Sequence, residues 1–154
     1  MMKYCFLIMA VCTIFASCKE NPQREATKKI MADSSSYTTA KWPDSVQNFG
    51  NIKNGDKIKI NFRCINTGSK PLIIDTARPS CGCTVADYTK KPIAPGEEGI
   101  ITASFDSKRF SGSVTKSIIV VANTKNGTQH YLYFNGNIMG NSENDKIMVP
   151  HEKN

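Results

Sequence analysis

The chain has 154 residues, of which 40% are hydrophobic, and its 20 Lys and Arg against 13 Asp and Glu give a formal net charge of +7. This length suits one folded domain with a single core. The basic residues are spread along the chain without a compact cluster or interleaved aromatic residues, which indicates a solvated basic surface and argues against nucleic acid as a partner. Contact with an anionic lipid or glycan is the alternative use of this charge.

The first segment of the chain has the pattern of a secretory signal. Lys3 precedes an almost unbroken apolar run, Tyr4 to Phe15, which is shorter than the roughly 20 apolar residues of a membrane-spanning helix. Two small residues then lead to Cys18, as in bacterial lipoprotein signals, which this segment resembles. The resemblance implies removal of residues 1–17 and a covalent lipid on Cys18. Phe15 stands where such signals usually carry Leu, so a plain secretory signal remains the alternative.

A lipid anchor would place the protein in the cell envelope, and this location decides the redox environment of the other cysteines. Lys19 follows Cys18, and the absence of an Asp there favours the outer membrane of the cell envelope, by resemblance to known lipoprotein sorting. Removal of the signal takes away Cys5 and Cys12, and Cys18 would carry the lipid. Of the six cysteines, this leaves Cys64, Cys81 and Cys83 in the folded part. Three is an odd number, so at least one thiol is unpaired in a monomer. An exported protein meets an oxidising environment, which permits a disulfide.

Polar segments flank the predicted domain on both sides. Residues 18–40 are rich in Ser, Thr and Lys with little hydrophobic periodicity, so we expect a flexible linker, although 26–32 has the composition for a helical turn or two. Residues 141–154 are similarly polar and are predicted to be a disordered tail. The folded domain is therefore placed at residues 41–140.

Within that domain the sequence alternates between short strands and turns. Lys57–Asn66 alternates apolar and polar residues with a period of two, which is typical of a half-buried strand. The apolar run in Val114–Ala122 indicates a strand buried on both faces, hence a central position. About seven strands and no internal helix predict an all-β, immunoglobulin-like antiparallel β-sandwich. The predicted strands are Val46–Ile52, Lys57–Asn66, Leu72–Ala77, Thr84–Tyr88, Ile100–Asp106, Val114–Ala122 and Thr128–Met139.

The Cys81-Gly82-Cys83 motif follows the third predicted strand and has three open interpretations. It can be structural, with Gly82 allowing a bend that other residues resist and the cysteines packing as small apolar groups. It can contribute to a disulfide, for which Cys64 is the easier partner because a bond between residues two apart departs from ordinary geometry. It can also form a metal or thiol-exchange site, although a closed zinc site needs about four ligands.

Three motifs occur together along the predicted domain: Asn66-Thr67-Gly68, Cys81-Gly82-Cys83-Thr84 and Pro95-Gly96-Glu97. Together they resemble a large bacterial domain-of-unknown-function family that carries a Cys-Gly-Cys-Thr signature. Its members are mostly secreted proteins or lipoproteins, common in Bacteroidetes-type bacteria. The resemblance covers about Val46 to Ile138 and implies an immunoglobulin-like fold akin to PapD and major sperm protein. Cys64 departs from the family pattern, which more often has an apolar or Thr-like residue there. The matching positions include Asn66, Gly68, Gly82, Thr84, Pro95 and Gly96, which we expect to be structural.

No catalytic constellation stands out in the sequence. We therefore predict a membrane-anchored envelope lipoprotein, not an enzyme, whose immunoglobulin-like domain has an interaction or structural role. The expected partners are an envelope protein or a glycan, with no small-molecule substrate evident and no cofactor beyond the lipid on Cys18. The alternative is an accessory protein that handles thiols or a metal through Cys81 and Cys83, with Cys64 as a third candidate.

Overall fold

The computed structural model describes residues 22–140, which contain eight β-strands, one α-helix and one 3-10 turn joined by loops. The signal segment, Cys18 and the predicted tail lie outside this range. All seven strands predicted from the sequence are present, each within two residues of its predicted ends, and one very short strand precedes them. The elements are α1 (Pro22–Ala32), a 3-10 turn (Ser34–Ser36), β1 (Ala40–Lys41), β2 (Val46–Lys53), β3 (Lys57–Asn66), β4 (Ile74–Pro79), β5 (Thr84–Tyr88), β6 (Glu98–Asp106), β7 (Gly112–Ala122) and β8 (Gln129–Met139).

The strands form two sheets of four, in the orders β1-β3-β6-β5 and β2-β8-β7-β4. The predicted all-β, immunoglobulin-like sandwich is confirmed. β7 lies between β8 and β4, which agrees with the central position predicted from its apolar run. Alternating side chains of both sheets meet in one apolar core. Its largest fully buried members are Phe62, Phe105, Phe134, Leu72, Ile101, Ile118 and Leu132.

One strand pair of the described residues departs from the predicted antiparallel pairing, at the edge of one sheet. β2 pairs with β8 in parallel, with Val46 opposite Tyr133 and Ile52 opposite Ile138. The reason is that the first part of the chain is shared between the sheets. β1 adds to β3 in one sheet, and β2, continuing onward, adds to the last strand of the other. Pairing between strands so far apart in sequence, and its parallel direction, cannot be inferred from the local periodicity of either strand.

The segment predicted as a flexible linker also differs from expectation in its described part. Residues 22–32 form α1, and the Tyr37 hydroxyl donates a hydrogen bond to the Met31 carbonyl at 2.9 Å. Thr38 is buried, with 2% of its surface exposed, so the packed domain begins there rather than at Lys41. In residues 22–140, no helix is both long and apolar enough to span a membrane.

Candidate functional site

The Cys-Gly-Cys turn, residues 80–84, lies where the chain crosses from one sheet to the other. It leaves β4, the edge strand of one sheet, and enters β5, the edge strand of the other. Cys81 and Cys83 form a disulfide within this turn, with their Cα atoms 5.3 Å apart. Backbone hydrogen bonds hold the turn in place: Ser80 donates to the Ser117 carbonyl at 2.9 Å, and Asp106 donates to the Cys83 carbonyl at 3.1 Å.

The preference for Cys64 as the disulfide partner is wrong, although Cys64 does point into the core. Cys64 is fully buried and free, and it lies opposite Gly99 in the β3–β6 pairing. The Cys83 carbonyl instead accepts a hydrogen bond from the Asp106 N–H. Asp106 lies opposite Lys57, at the other end of β3 from Cys64. Lys57 and Cys64 are seven positions apart, about 23 Å along a strand. Burial also raises the pKa of the Cys64 thiol to about 11, so this thiol stays protonated at neutral pH.

The structural reason offered for Gly82 is also wrong. Five glycines adopt a positive φ, and Gly82 is not among them. A Cβ added at Gly82 meets no atom within 4 Å. The turn therefore accepts other residues at this position without backbone strain.

A groove of about 580 Å³ runs beside the disulfide. Besides the turn, its walls are formed by Asp106, Lys108, Arg109 and Phe110. Asp106 forms an ion pair with Lys57 at 3.5 Å, so Lys108 and Arg109 leave the groove with a positive balance. The Thr84 hydroxyl, at the end of the Cys-Gly-Cys-Thr signature, lies 3.8 Å from each of the two sulfur atoms. Thr84 itself is buried, with 4% of its surface exposed.

The geometry does not favour the metal interpretation of these cysteines. While the disulfide is formed, neither sulfur is available as the thiolate that zinc takes from cysteine. Within residues 22–140, His, Cys, Asp and Glu side chains form no group of three that could hold a metal ion.

The remaining motif residues meet around Asn66, at the opposite end of the sandwich. The buried Asn66 carboxamide donates to the carbonyls of Lys70 and Ile93 at 2.8 and 2.9 Å. It accepts from the Thr38 hydroxyl at 2.9 Å and from the Gly68 backbone at 3.1 Å. The turn formed by Pro95 and Gly96 closes on the same residue, because the Gly96 N–H donates to the Asn66 carbonyl at 2.8 Å. These residues join the ends of several elements and form no open site.

Sequence reasoning missed a second buried asparagine, Asn123. Its side-chain oxygen accepts from the Ile73 N–H at 2.7 Å, and its amide donates to the carbonyls of Ser36 and Pro71 at 3.0 and 3.1 Å. This residue attaches the segment before β1 to the sandwich. Its signal in the sequence is an Asn directly after the apolar run of a predicted buried strand.

A second candidate surface is the outer face of β2, β8 and β7. Tyr131 and Tyr133 are 50% and 39% exposed, and Val46 beside them is 63% exposed. A β-bulge between Asn48 and Asn51 creates a depression of about 380 Å³ next to them. We call this surface the tyrosine–asparagine face. It consists of Tyr131 and three cross-strand rows: Val46, Tyr133 and Ser117; Asn48, Asn135 and Thr115; Asn51, Asn137 and Ser113.

The chain matches a family model over residues 40–138, and that family is described as "Protein of unknown function (DUF1573)". The chain belongs to this family. The resemblance inferred from the Cys-Gly-Cys-Thr signature and its companion motifs is thereby confirmed. A comparison with curated proteins finds no match.

Solved structures support the fold. A protein of unknown function from Porphyromonas gingivalis W83 aligns with a TM-score of 0.61 at 14% identity, over 68% of this chain and 49% of that one. The chain thus spans about half the length of that relative. The ASH/PapD-like domain 7 of human CEP192 aligns with a TM-score of 0.51 at 11% identity, over 68% of this chain and 88% of that one. At these identities the likeness shows a PapD-like sandwich and nothing about activity.

Proposed function

We propose that this protein is a lipid-anchored envelope protein whose non-catalytic domain binds an uncharged glycan on its tyrosine–asparagine face. One observation carries the proposal: in a chain with a net charge of +7, the three complete cross-strand rows of this face hold only uncharged side chains, and the row of Tyr131 reaches a charge only at Arg78 on the edge strand β4. An anionic ligand would be better matched by the basic surface elsewhere.

The side chains of the face suit the chemistry of a sugar. Tyr131 and Tyr133 stand two residues apart on β8, so their side chains are about 7 Å apart along the strand. Exposed aromatic rings offer apolar surface to the C–H faces of sugar rings, and their hydroxyls remain available for hydrogen bonds. Asn48, Asn135 and Asn137 supply carboxamides, which both donate and accept and so match sugar hydroxyls.

The anchor rests on the signal at residues 1–17 and on Cys18. In cells grown with labelled palmitate, we expect the protein to carry the label and to fractionate with membranes. The Cys18→Ala variant should lose the label and retain its signal. Palmitate-free wild-type protein, or a labelled Cys18→Ala variant, would contradict a lipid on this residue.

Affinity electrophoresis in gels that contain neutral polysaccharides tests the binding proposal. The detergent-solubilised protein should be retarded by at least one of dextran, mannan, xylan or β-glucan. Replacing both Tyr131 and Tyr133 by Ser should reduce the retardation at least tenfold while the melting temperature stays close to that of the parent. The control is Lys59→Ala, an exposed residue on the other sheet.

Two results would reject glycan binding at this face. One is no retardation by any polysaccharide in the panel. The other is equal retardation of the parent and the double Tyr variant. If photo-cross-linkers placed at Tyr131 instead capture one specific envelope protein, the face is a protein interface and the glycan proposal is wrong.

A further inference from the structure

We propose that the Cys81–Cys83 disulfide is a reactive group that oxidises a pair of thiols in an extended polypeptide segment. The proposal is independent of glycan binding, because the Cys-Gly-Cys turn is not part of the tyrosine–asparagine face. Three observations carry it: the disulfide joins residues only two apart, it borders a positively charged groove, and a hydroxyl lies near both sulfurs.

The disulfide does little to hold the fold together. A disulfide stabilises mainly by closing a loop in the unfolded chain, and the effect falls as the loop shortens. This bond closes the smallest loop between non-adjacent residues and lies within one turn rather than between the sheets. Two backbone hydrogen bonds already hold the turn, from the Ser80 N–H to the Ser117 carbonyl and from the Asp106 N–H to the Cys83 carbonyl. Reduction can therefore occur in the folded protein without opening the core.

The surroundings of the sulfurs favour the reduced, ionised form. The Thr84 hydroxyl can donate a hydrogen bond to a thiolate on either cysteine, since it is 3.8 Å from both sulfurs. Lys108 and Arg109 line the same groove and stabilise negative charge there. Stabilising the reduced form makes a disulfide a stronger oxidant, and a stabilised thiolate is a better leaving group.

The two sulfurs have different roles in the exchange. Cys83 packs against the core and its backbone is bonded to β6, whereas Cys81 lies on the β4 side of the turn. We assign the attacked sulfur to Cys81 and the leaving thiolate to Cys83, with Thr84 as a positioning residue that stabilises this thiolate. A substrate thiolate attacks the Cys81 sulfur, the Cys81–Cys83 bond breaks, and a mixed disulfide with Cys81 forms.

A second thiolate of the same substrate completes the reaction. It attacks the substrate sulfur of the mixed disulfide and displaces the Cys81 thiolate. The substrate gains a disulfide and loses two electrons, the cysteine pair gains those electrons, and the two substrate protons pass to the cysteines or to solvent. Each protein molecule donates one disulfide, so the transfer is stoichiometric.

The adjacent edge strand indicates an extended substrate. β5 begins directly after Cys83, pairs only with β6 in its sheet, and is an edge strand. Its Val85 is 69% exposed beside the turn. An extended chain can add to such an edge through backbone hydrogen bonds, which would bring its cysteines to the groove. Because Lys108 and Arg109 line that groove, an acidic segment fits it better than a basic one.

Redox titration of the purified lipoprotein in glutathione buffers is the first test. After denaturation and thiol alkylation, mass spectrometry should find one modified cysteine in the oxidised protein, Cys64, and three in the reduced protein. We expect reduction of the pair while the circular dichroism spectrum remains that of the folded protein. A pair that resists reduced glutathione until the protein unfolds would overturn the proposal.

The reaction with peptides tests the assigned roles. An acidic peptide with a single cysteine should form a mixed disulfide that maps to Cys81, and an acidic peptide with two cysteines should become oxidised as the protein is reduced. A basic peptide should react several times more slowly. Attachment at Cys83, or equal rates for the two peptides, would contradict the assigned sulfur or the assigned role of the groove.

Variants separate a redox role from a structural one. Thr84→Val should shift the glutathione equilibrium toward the disulfide by about tenfold, since it removes a hydrogen bond to a charged group. Replacing both Lys108 and Arg109 by Ala should shift it the same way by about two- to fivefold. The matched control is Lys125→Ala, an exposed lysine in the β7–β8 turn, which should leave the equilibrium unchanged. An unchanged equilibrium in both Thr84→Val and the double variant would overturn the role given to these residues.

Discussion

Two glycines of this domain have opposite tolerance for a side chain. Gly99 is buried opposite Cys64, and a Cβ there would collide with Ile93 and come within 3.0 Å of the Cys64 sulfur. We expect Gly99→Ala to lower the free energy of unfolding by about 1 to 3 kcal/mol, the usual cost of overpacking. The control is Gly82→Ala, where the added Cβ meets nothing. Urea denaturation measures both, and equal stabilities would contradict the packing described at Gly99.

Cys64 makes a pH-dependent contribution to stability. Burial raises the pKa of its thiol from 9.0 to about 11, so between these values the folded state holds a proton that the unfolded state has lost. This contribution is fully present below about pH 9 and is lost as the pH rises toward 11. Each pKa unit corresponds to about 1.4 kcal/mol.

The Cys64→Ala variant isolates this effect from other groups that titrate in the same range. We expect the parent to lose about 1 to 3 kcal/mol more stability than the variant between pH 8.5 and 11. Chemical denaturation at several pH values provides the measurement. Parallel stability curves for the two proteins would show that the thiol does not titrate as its burial requires.

At the residue scale, the sequence predicts burial better than pairing. Alternation along Lys57–Asn66 places Cys64 inward, and the structure buries it completely. Its separation from Cys83 depends on the register between β3 and β6 and on where the turn meets β6, and both are long-range properties. The sequence therefore favoured Cys64 as a disulfide partner of Cys81 or Cys83, whereas Cys81 and Cys83 bond to each other.

Buried asparagine side chains connect the ends of neighbouring strands and loops in this sandwich. Asn66 makes four side-chain hydrogen bonds, which reach the segment before β1, the turn after β3 and the Ile93 strand bridge. Asn66→Ala leaves these partners without a bond in a buried place, so we expect a loss of about 2 to 5 kcal/mol and a clearly lower melting temperature. Ser69→Ala, an exposed change in the same turn, should have little effect. Calorimetry that shows similar melting temperatures for both variants would refute this role.

Strands with strong alternation were predicted almost to the residue, and the elements without it were not. β3 has the predicted bounds, because its polar and apolar faces are marked at every position. β1 has two residues and no period to detect. Residues 22–32 have few apolar side chains and none that is buried, so their helix left only a weak hydrophobic pattern. The tyrosine–asparagine face was also missed, since its rows combine residues from three strands.

The segment between the proposed anchor at Cys18 and the domain contains a helix, and disruption of this helix has a measurable consequence. Thr27→Pro places a proline inside α1, which costs a helix about 3 kcal/mol. On the proposed lipid-anchored form bound to vesicles, we expect trypsin to cleave after Lys28 and Lys29 several times faster in this variant, releasing the domain. The control is Thr27→Ala, which removes the Thr27 hydroxyl bond to Gln23 and keeps the helix. Equal release rates would indicate that the segment is not helical on the membrane.

This helix also changes the volume in which the domain can search for a partner. A flexible linker of about 20 residues has a root-mean-square span of about 25 Å and lets the domain turn freely. In the structure residues 22–32 are instead helical, and Gln23, Arg24 and Thr27 line a depression together with residues of β4 and β5, including Ile74 and Tyr88. An 11-residue helix in place of flexible chain leaves fewer residues that can bend between the proposed lipid on Cys18 and the domain. The domain then samples a smaller volume, so partners within that volume meet it at a higher effective concentration than a fully flexible linker would give.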